Sequence, residues 1–282
     1  MNIDGSTQIV GVFGSPITHT ASPAMHNAAF AALKMNWAYL AFQVEPQHLR
    51  QALLGVRDMN FRGVNLTVPH KILALDVVDE VDAAARKLGA VNTIVVEAGK
   101  LRGFNTDGYG FSKAIKEDFD MTLKGKRILI LGAGGAGRAI AVQCVIEGAA
   151  KVIVANRTQS KAQSVVADAG VEAVELTSRE LARALTQVDL LVNATSVGLK
   201  PGETLPLPPD ALTPHLAVYD TIYRPAETQL VQQANAAGAK VANGLSMLLH
   251  QGAKSFELWT KHKAPLVVMR RALRAVVYGD HA

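Results

Sequence analysis

"KGKRILILGAGGAGRAIAVQCVIEGAAKVIVANRT", residues 124–158, decides how the chain is read. An apolar run, Arg127–Leu131, leads without a break into Gly132-x-Gly134-x-x-Gly137. An alanine-rich helical stretch follows, and a second apolar run ends at Ala155. Strand, glycine loop, helix and strand in that order make a βαβ unit, the context that gives this glycine spacing a mechanism. Gly132 makes the tight turn, Gly134 lets the backbone approach a pyrophosphate at the helix N-terminus, and Gly137 lets helix and strand pack closely. Enzymes that use NAD place Asp or Glu near the end of the second strand to hold the ribose hydroxyls. Here the chain has Asn156, Arg157 and Thr158. A carboxylate would repel a 2′-phosphate, whereas a guanidinium forms charge-assisted hydrogen bonds with it, worth about 1.5–3 kcal/mol each. NADP(H) is therefore expected over NAD(H).

Strand and helix patterns alternate on both sides of this unit, which argues an α/β protein with mainly parallel sheets. Residues 8–14 read as a strand and 22–35 as a helix, with Ser22 as its N-cap and Pro23 in its first turn. Residues 37–44 read as a strand, 46–59 as a helix, 63–68 as a strand and 79–89 as a helix closed by a glycine. Residues 91–107 read as a hairpin turning at Gly99. From residue 243 the pattern is helical and no strand follows. Three segments are expected: a substrate-binding and catalytic domain over 1–107, a Rossmann-type dinucleotide domain over 108–242, and C-terminal helices over 243–282 that pack back on the first domain.

The chain has 282 residues, 49% of them hydrophobic, which is ample for a buried core. No apolar run reaches the roughly 18 residues of a membrane span, and "MNIDGSTQIV" lacks the basic head and apolar stretch of a secretory signal. The single cysteine, Cys144, excludes an intramolecular disulfide and fits a reducing compartment, hence a cytoplasmic location. No Cys/His cluster has zinc spacing, so no metal is expected. The formal charge is +5 and the pI about 9.3. The basic residues are scattered and only 5% of residues are aromatic, so no nucleic-acid platform is evident. A slightly basic soluble protein is the plainest reading of this balance, and a pocket for small anions is the next.

A nicotinamide enzyme that oxidises an alcohol needs a group to take the hydroxyl proton. "GVNLTVPHK", residues 63–71, is a half-polar strand that breaks at Pro69 and delivers His70 and Lys71. Asp107 follows "GFNT" at the start of another helix, where it also stands as a cap for a helix beginning at Gly108. A carboxylate beside an ammonium holds it and favours its charged form, while desolvation favours the neutral one. Taken alone, Lys71 reads as a solvated lysine after a turn, and His70 is the rival base.

The wider set of motifs resembles shikimate dehydrogenases almost end to end. "VFGSPITHTASPAMHN" is similar to the segment in which two hydroxyl residues bind the substrate carboxylate, at Thr20 and Ser22 here. The family more often has serine where Thr20 stands; the hydroxyl is retained. "NLTVPHK" resembles the segment carrying substrate-binding Asn65 and Thr67 and the catalytic Lys71; "GAVNT" supplies Asn92 and "NTDG" supplies Asp107. "YDTIY" and "NGLSMLLHQ" match those carrying substrate-contacting Tyr223 and Gln251. "GAGGAGR", "NRT" and "NATSVG" match the cofactor segments. The resemblance implies that Gly132, Ala133, Gly134, Gly135, Ala136, Asn156, Arg157 and Thr158, with Thr195, Thr221 and Gly244, hold NADP(H). It implies reversible reduction of 3-dehydroshikimate to shikimate, a step of chorismate and aromatic amino acid biosynthesis, with Lys71 moving the proton and Asp107 orienting it. His70 is then wall rather than catalyst. Several neutral hydrogen-bonding groups, Asn65, Thr67, Asn92 and Gln251, suit a ring rich in hydroxyls. The partner implied is a small molecule, with no nucleic acid and no membrane; a homodimer is left open. Two alternatives remain: a quinate/shikimate dehydrogenase with broader substrate or NAD use, and a non-catalytic paralogue that senses NADP or shikimate.

Overall fold

The computed structural model describes residues 3–279, apart from 159, 161, 164, 166–169, 201 and 209. The chain forms two units, Met1–Gly110 with Leu249–Ala282, and Phe111–Leu248.

The first unit is built on β1 (Gln8–Gly14), α1 (Ser22–Ala32), β2 (Trp37–Gln43), α2 (Leu49–Asp58), β3 (Gly63–Leu66), α3 (His70–Leu73), β4 (Glu80–Val81), α4 (Ala83–Leu88), β5 (Thr93–Glu97) and β6 (Lys100–Phe104). Its sheet runs β2-β1-β3-β5-β6-β4. β1 pairs parallel with β2 and β3, whereas the β5–β6 hairpin is antiparallel and pairs antiparallel with β3. The hairpin turns through Ala98 and Gly99, both at positive φ (50° and 74°), the conformation a two-residue turn demands.

Several boundaries differ from the sequence reading. Ser22 is the first residue of α1, not its cap, because Ala21 already takes near-helical dihedrals (φ −93°, ψ −6°). The hydroxyl of Thr20 accepts from the Ser22 N–H (3.3 Å). α1 stops at Ala32, where Lys34 turns to φ 53°. Residues 46–48 form a 3₁₀ turn ahead of α2. β3 ends at Leu66, three residues before Pro69, which has no N–H to continue a ladder. The next residues close the one-turn helix α3, too short to leave a periodic signal. Asp82 caps α4 by accepting from Ala84 and Ala85 N–H, so the helix starts there and Glu80–Val81 is left to pair with β6.

α5 (Asp107–Phe119) leads to the second unit: β7 (Arg127–Leu131), α6 (Gly135–Ile146), β8 (Lys151–Asn156), β9 (Glu172–Glu175), α7 (Ser178–Leu185), β10 (Leu190–Asn193), β11 (Ala217–Asp220), α8 (Gln229–Ala236) and β12 (Lys240–Asn243). All its strand pairs are parallel, in the order β12-β11-β10-β7-β8-β9. Its apolar strands have a core on each face: Ile128, Ile130, Val154 and Val192 pack with Ile140 and Cys144 of α6, and Leu129, Leu131 and Leu191 pack with Leu181 and Leu230. The strand order reverses between β7 and β10, the place where such sheets bind ligands beyond their carboxyl ends.

α9 (Leu245–Thr260) and α10 (Leu266–Tyr278) close the chain. No helix among the described residues is long and apolar enough to cross a membrane. Within the first unit, Trp259 of α9 donates its indole N–H to the Ile94 carbonyl (2.9 Å). His26 of α1 lies fully buried among Trp259, Phe256 and Phe30 and stacks on Tyr39 (4.3 Å, 3°). Neither of its ring nitrogens has a hydrogen-bond partner among the described residues. Burial holds its pKa down to about 3.

A base whose folded pKa is depressed contributes stability above its unfolded pKa, near 6.5, and loses it as pH falls toward the folded value. Between pH 6.5 and pH 5 the unfolded state takes up a proton that folded His26 refuses, about 1.5 kcal/mol. In urea melts, the stability of His26→Leu relative to the parent should therefore improve by about that amount on going from pH 6.5 to pH 5; an identical gap at both pH values contradicts this.

Candidate active site

Lys71 sits in the first turn of α3 and Asp107 opens α5. The Lys71 ammonium donates to Asp107 Oδ2 at 2.6 Å, with the carboxylate 8% exposed and the lysine side chain 22%. Asp107 is thus the first residue of its helix and not a cap for one starting at Gly108; Asn105 accepts from the Asp107 N–H instead (2.9 Å). The other oxygen, Oδ1, accepts from the Asn92 amide (2.8 Å). That amide cannot turn over freely, because Asn92 Oδ1 already accepts from the Thr106 N–H (2.8 Å) and the Thr93 hydroxyl (2.9 Å). The Lys71 carbonyl accepts from Val91 N–H (2.8 Å), which ties α3 to the segment carrying Asn92.

Behind this couple lies a buried polar cluster. Asn65 accepts from the Tyr39 hydroxyl (2.8 Å), and its amide nitrogen lies within 3.0–3.1 Å of the Asn92 carbonyl, Thr93 Oγ1 and Ser255 Oγ. Asn65, expected at the substrate, also bridges β2, β5 and α9. Ser255 donates to the Gln251 carbonyl (3.0 Å), and Thr106 Oγ1 lies 3.5 Å from Gln251 Oε1. Thr67 leaves β3 with its N–H on the Phe13 carbonyl (3.0 Å), and Ser15 N–H donates to the Val68 carbonyl (3.2 Å). These bonds stitch the Lys71 segment to the one bearing Thr20 and Ser22, of which Ser22 is buried and Thr20 half-buried. His70 points elsewhere: it is fully buried, Nε2 meets the Val44 carbonyl (2.8 Å), and burial lowers its pKa. The sequence reading missed Tyr39, Thr93, Thr106 and Ser255. Only Thr106, beside Asp107, and Ser255, one helical turn after Gln251, had a positional hint.

The second unit holds the remaining candidates. Gly134 caps α6 without a side chain, which leaves the first-turn N–H groups of Gly135 and Ala136 to an anion. Gly137 is required by close approach: a Cβ there would stand 2.0 Å from the Gly132 carbonyl oxygen. Asn156 ends β8 and shapes the loop, accepting from Ala133 N–H (3.1 Å) and donating to the Thr158 carbonyl (2.8 Å). Arg157, between them, is exposed. Thr195 donates to Asn193 Oδ1 (2.7 Å) and accepts from Val197 N–H (3.0 Å). Thr221 and Gly244 are in contact, since a Cβ on Gly244 would strike the Thr221 carbonyl at 2.0 Å. Tyr223 follows in the same loop as Thr221, so it lies in this unit while the other substrate candidates lie in the first. Open amides at a helix start, a side-chain-free loop and a basic residue at the end of β8 fit a phosphorylated dinucleotide.

Three family models match the chain: a shikimate dehydrogenase substrate binding domain over residues 12–94, a shikimate/quinate 5-dehydrogenase over 113–199, and a shikimate 5′-dehydrogenase C-terminal domain over 244–274. A shikimate dehydrogenase (NADP(+)) of Desulforamulus reducens is 44% identical, covering 98% of this chain and 97% of its own. Shikimate 5-dehydrogenase from Listeria monocytogenes, solved with shikimate and NAD, superposes with a TM-score of 0.91 at 37% identity, over 97% of this chain and 98% of that one. The enzyme of Thermus thermophilus, solved with NADP(H) and shikimate, gives 0.88 at 40% identity, over 96% and 100%. With matches of this extent across both units, the chain belongs to the shikimate dehydrogenase family.

Proposed function

We propose that this chain catalyses the reversible, NADPH-dependent reduction of 3-dehydroshikimate to shikimate, with Lys71 as proton donor and acceptor and Asp107 as its partner. The observation that carries this reading is the 2.6 Å contact between the two, in a chain of this family. NADPH, when bound, supplies the hydride to the C3 ketone carbon. The ketone oxygen then needs a proton, which the Lys71 ammonium gives; in the reverse direction the Lys71 amine takes the proton of the C3 hydroxyl. Asp107 holds the nitrogen in place, and its second oxygen is held by Asn92, so the carboxylate cannot swing away.

Thr20 and Ser22, at the start of α1, suit the substrate carboxylate, since a helix N-terminus favours an anion. Asn65, Thr67, Asn92, Gln251 and Tyr223 suit the ring hydroxyls, and Asn65 is also tied to the Asn92 carbonyl and to Ser255. A site built from such groups rejects analogues that leave them unpaired. In the second unit, residues 132–136 suit the pyrophosphate, Asn156, Arg157 and Thr158 the 2′-phosphate, and Thr195, Thr221 and Gly244 the nicotinamide end.

Lys71→Ala should lower kcat for shikimate oxidation by about 10²–10⁴, with a smaller change in KM; near-normal turnover refutes the role. Arg157→Ala should lose the preference for NADP over NAD, since each charge-assisted phosphate bond is worth about 1.5–3 kcal/mol. Retention of that preference in competing-cofactor assays counts against Arg157. Rates with quinate and NAD, in the same assay, separate this reading from a quinate/shikimate dehydrogenase.

A further inference from the structure

At the carboxyl end of β11, one buried acid is used by nothing described so far. Asp220 has no solvent exposure, and its hydrogen-bond partners among the described residues are neutral. Oδ1 accepts from the Asn193 amide (3.0 Å) and the Ile222 N–H (3.0 Å); Oδ2 accepts from the Thr228 hydroxyl (2.6 Å). Burial raises its pKa, against the pull of those three donors.

The three donors come from two loops, Asn193 from one and Ile222 and Thr228 from opposite ends of the other. Asn193 ends β10 and passes the constraint on: its amide also donates to the Val197 carbonyl (3.2 Å), and its oxygen accepts from both the N–H and the hydroxyl of Thr195 (3.0 and 2.7 Å). Ile222 stands between Thr221 and Tyr223. Thr228 caps α8 through Val231 N–H (3.3 Å), so its hydroxyl hydrogen is left for the carboxylate. An unpaired buried charge is expensive, and it is tolerated only where hydrogen bonds replace its hydration. An apolar residue of the same size would be cheaper for packing alone, but it would leave the Ile222 N–H and the Thr228 hydroxyl without acceptors.

We propose that Asp220 is a positioning residue: its carboxylate clasps the loops 193–198 and 221–228 together and so sets the places of Thr195, Thr221 and Tyr223. The inference rests on the cofactor and substrate roles given to those three residues above. The phosphate-holding loop at 132–137 is bonded by Asn156 and touches the clasped loops only where Gly132 and Gly137 lie against Ala194 and Thr195, so the clasp acts first on the reacting end of the site and less on overall dinucleotide affinity.

The test reads amide hydrogen exchange of the full chain across 193–198 and 221–223, together with NADP affinity by fluorescence titration and steady-state shikimate oxidation. In Asp220→Ala, exchange in both loops should rise about tenfold or more, and kcat should fall about tenfold, while the NADP dissociation constant stays within about threefold. Asp220→Asn, which keeps an acceptor for Asn193 and Ile222 but loses the one for the Thr228 hydroxyl, should recover part of both losses and leave exchange in the two loops about threefold above the parent. Parental exchange rates in Asp220→Ala overturn the proposal. So does loss of NADP binding in step with kcat, which marks general damage to the unit. Should the alanine variant not fold, Asp220→Asn decides alone: exchange in the two loops about threefold faster supports the clasp, and unchanged exchange refutes it. Tyr223→Phe with parental kinetics would sink the substrate role of Tyr223 and leave the exchange result for Asp220 standing.

Discussion

Asp107 has two carboxylate oxygens, and a different neighbour engages each. Lys71 holds one and the Asn92 amide holds the other. Nearly everything else in the first unit serves that arrangement. The break at Pro69 ends β3 and starts α3, which brings Lys71 to the carboxylate. The hairpin places Asn92 just ahead of β5 and Asp107 just after β6, and antiparallel pairing brings the two together. Removing either charged partner leaves the other largely desolvated and uncompensated, which is why such pairs are costly to break even where they add little net stability.

Polar groups this deep need partners, and the partners come from far along the chain. Asn65 and Ser255 are 190 residues apart, yet their side chains lie 3.0 Å from each other. The contact exists because α9 packs onto the sheet of the first unit, with Trp259 bonded to β5. Among the groups in this cluster, Asn92 has its amide orientation set by a backbone N–H that can only donate. The second unit solves a related problem with an acid: Asp220, buried with no cation bonded to it among the described residues, gathers three neutral donors at the ends of β10 and β11. In both units, buried polar side chains brace the segments that carry the proposed reacting groups.

The local grammar of the fold was legible wherever one segment carried its own signal. The strand, glycine loop and helix at 127–146 read directly, as did the β5–β6 hairpin, since Gly99 and the alternating strands are contiguous. Ser22 misled because Ser-Pro is a strong helix-start signal, while the backbone enters the helix one residue earlier. α3 and β4 were invisible: four and two residues are too few to show a period, and Asp82, which divides β4 from α4, acts through its side chain. At the candidate site, Lys71 taken alone read as a solvated lysine and Asp107 as a helix cap, and it was the surrounding motifs that singled them out. Tyr39 and Thr93 had no such signal, because each is an ordinary member of a strand whose meaning arises only from packing.

The central claim, that Lys71 and Asp107 act as one proton-handling unit, is tested most directly by a double-mutant cycle on kcat for shikimate oxidation. Lys71→Met, Asp107→Asn and the double variant are compared with the parent. If the two residues act as a unit, the double variant is no more than about threefold slower than Lys71→Met alone, because the first change already removes what the second supports. Losses that multiply would mean that the two side chains serve separate purposes, and would contradict the account.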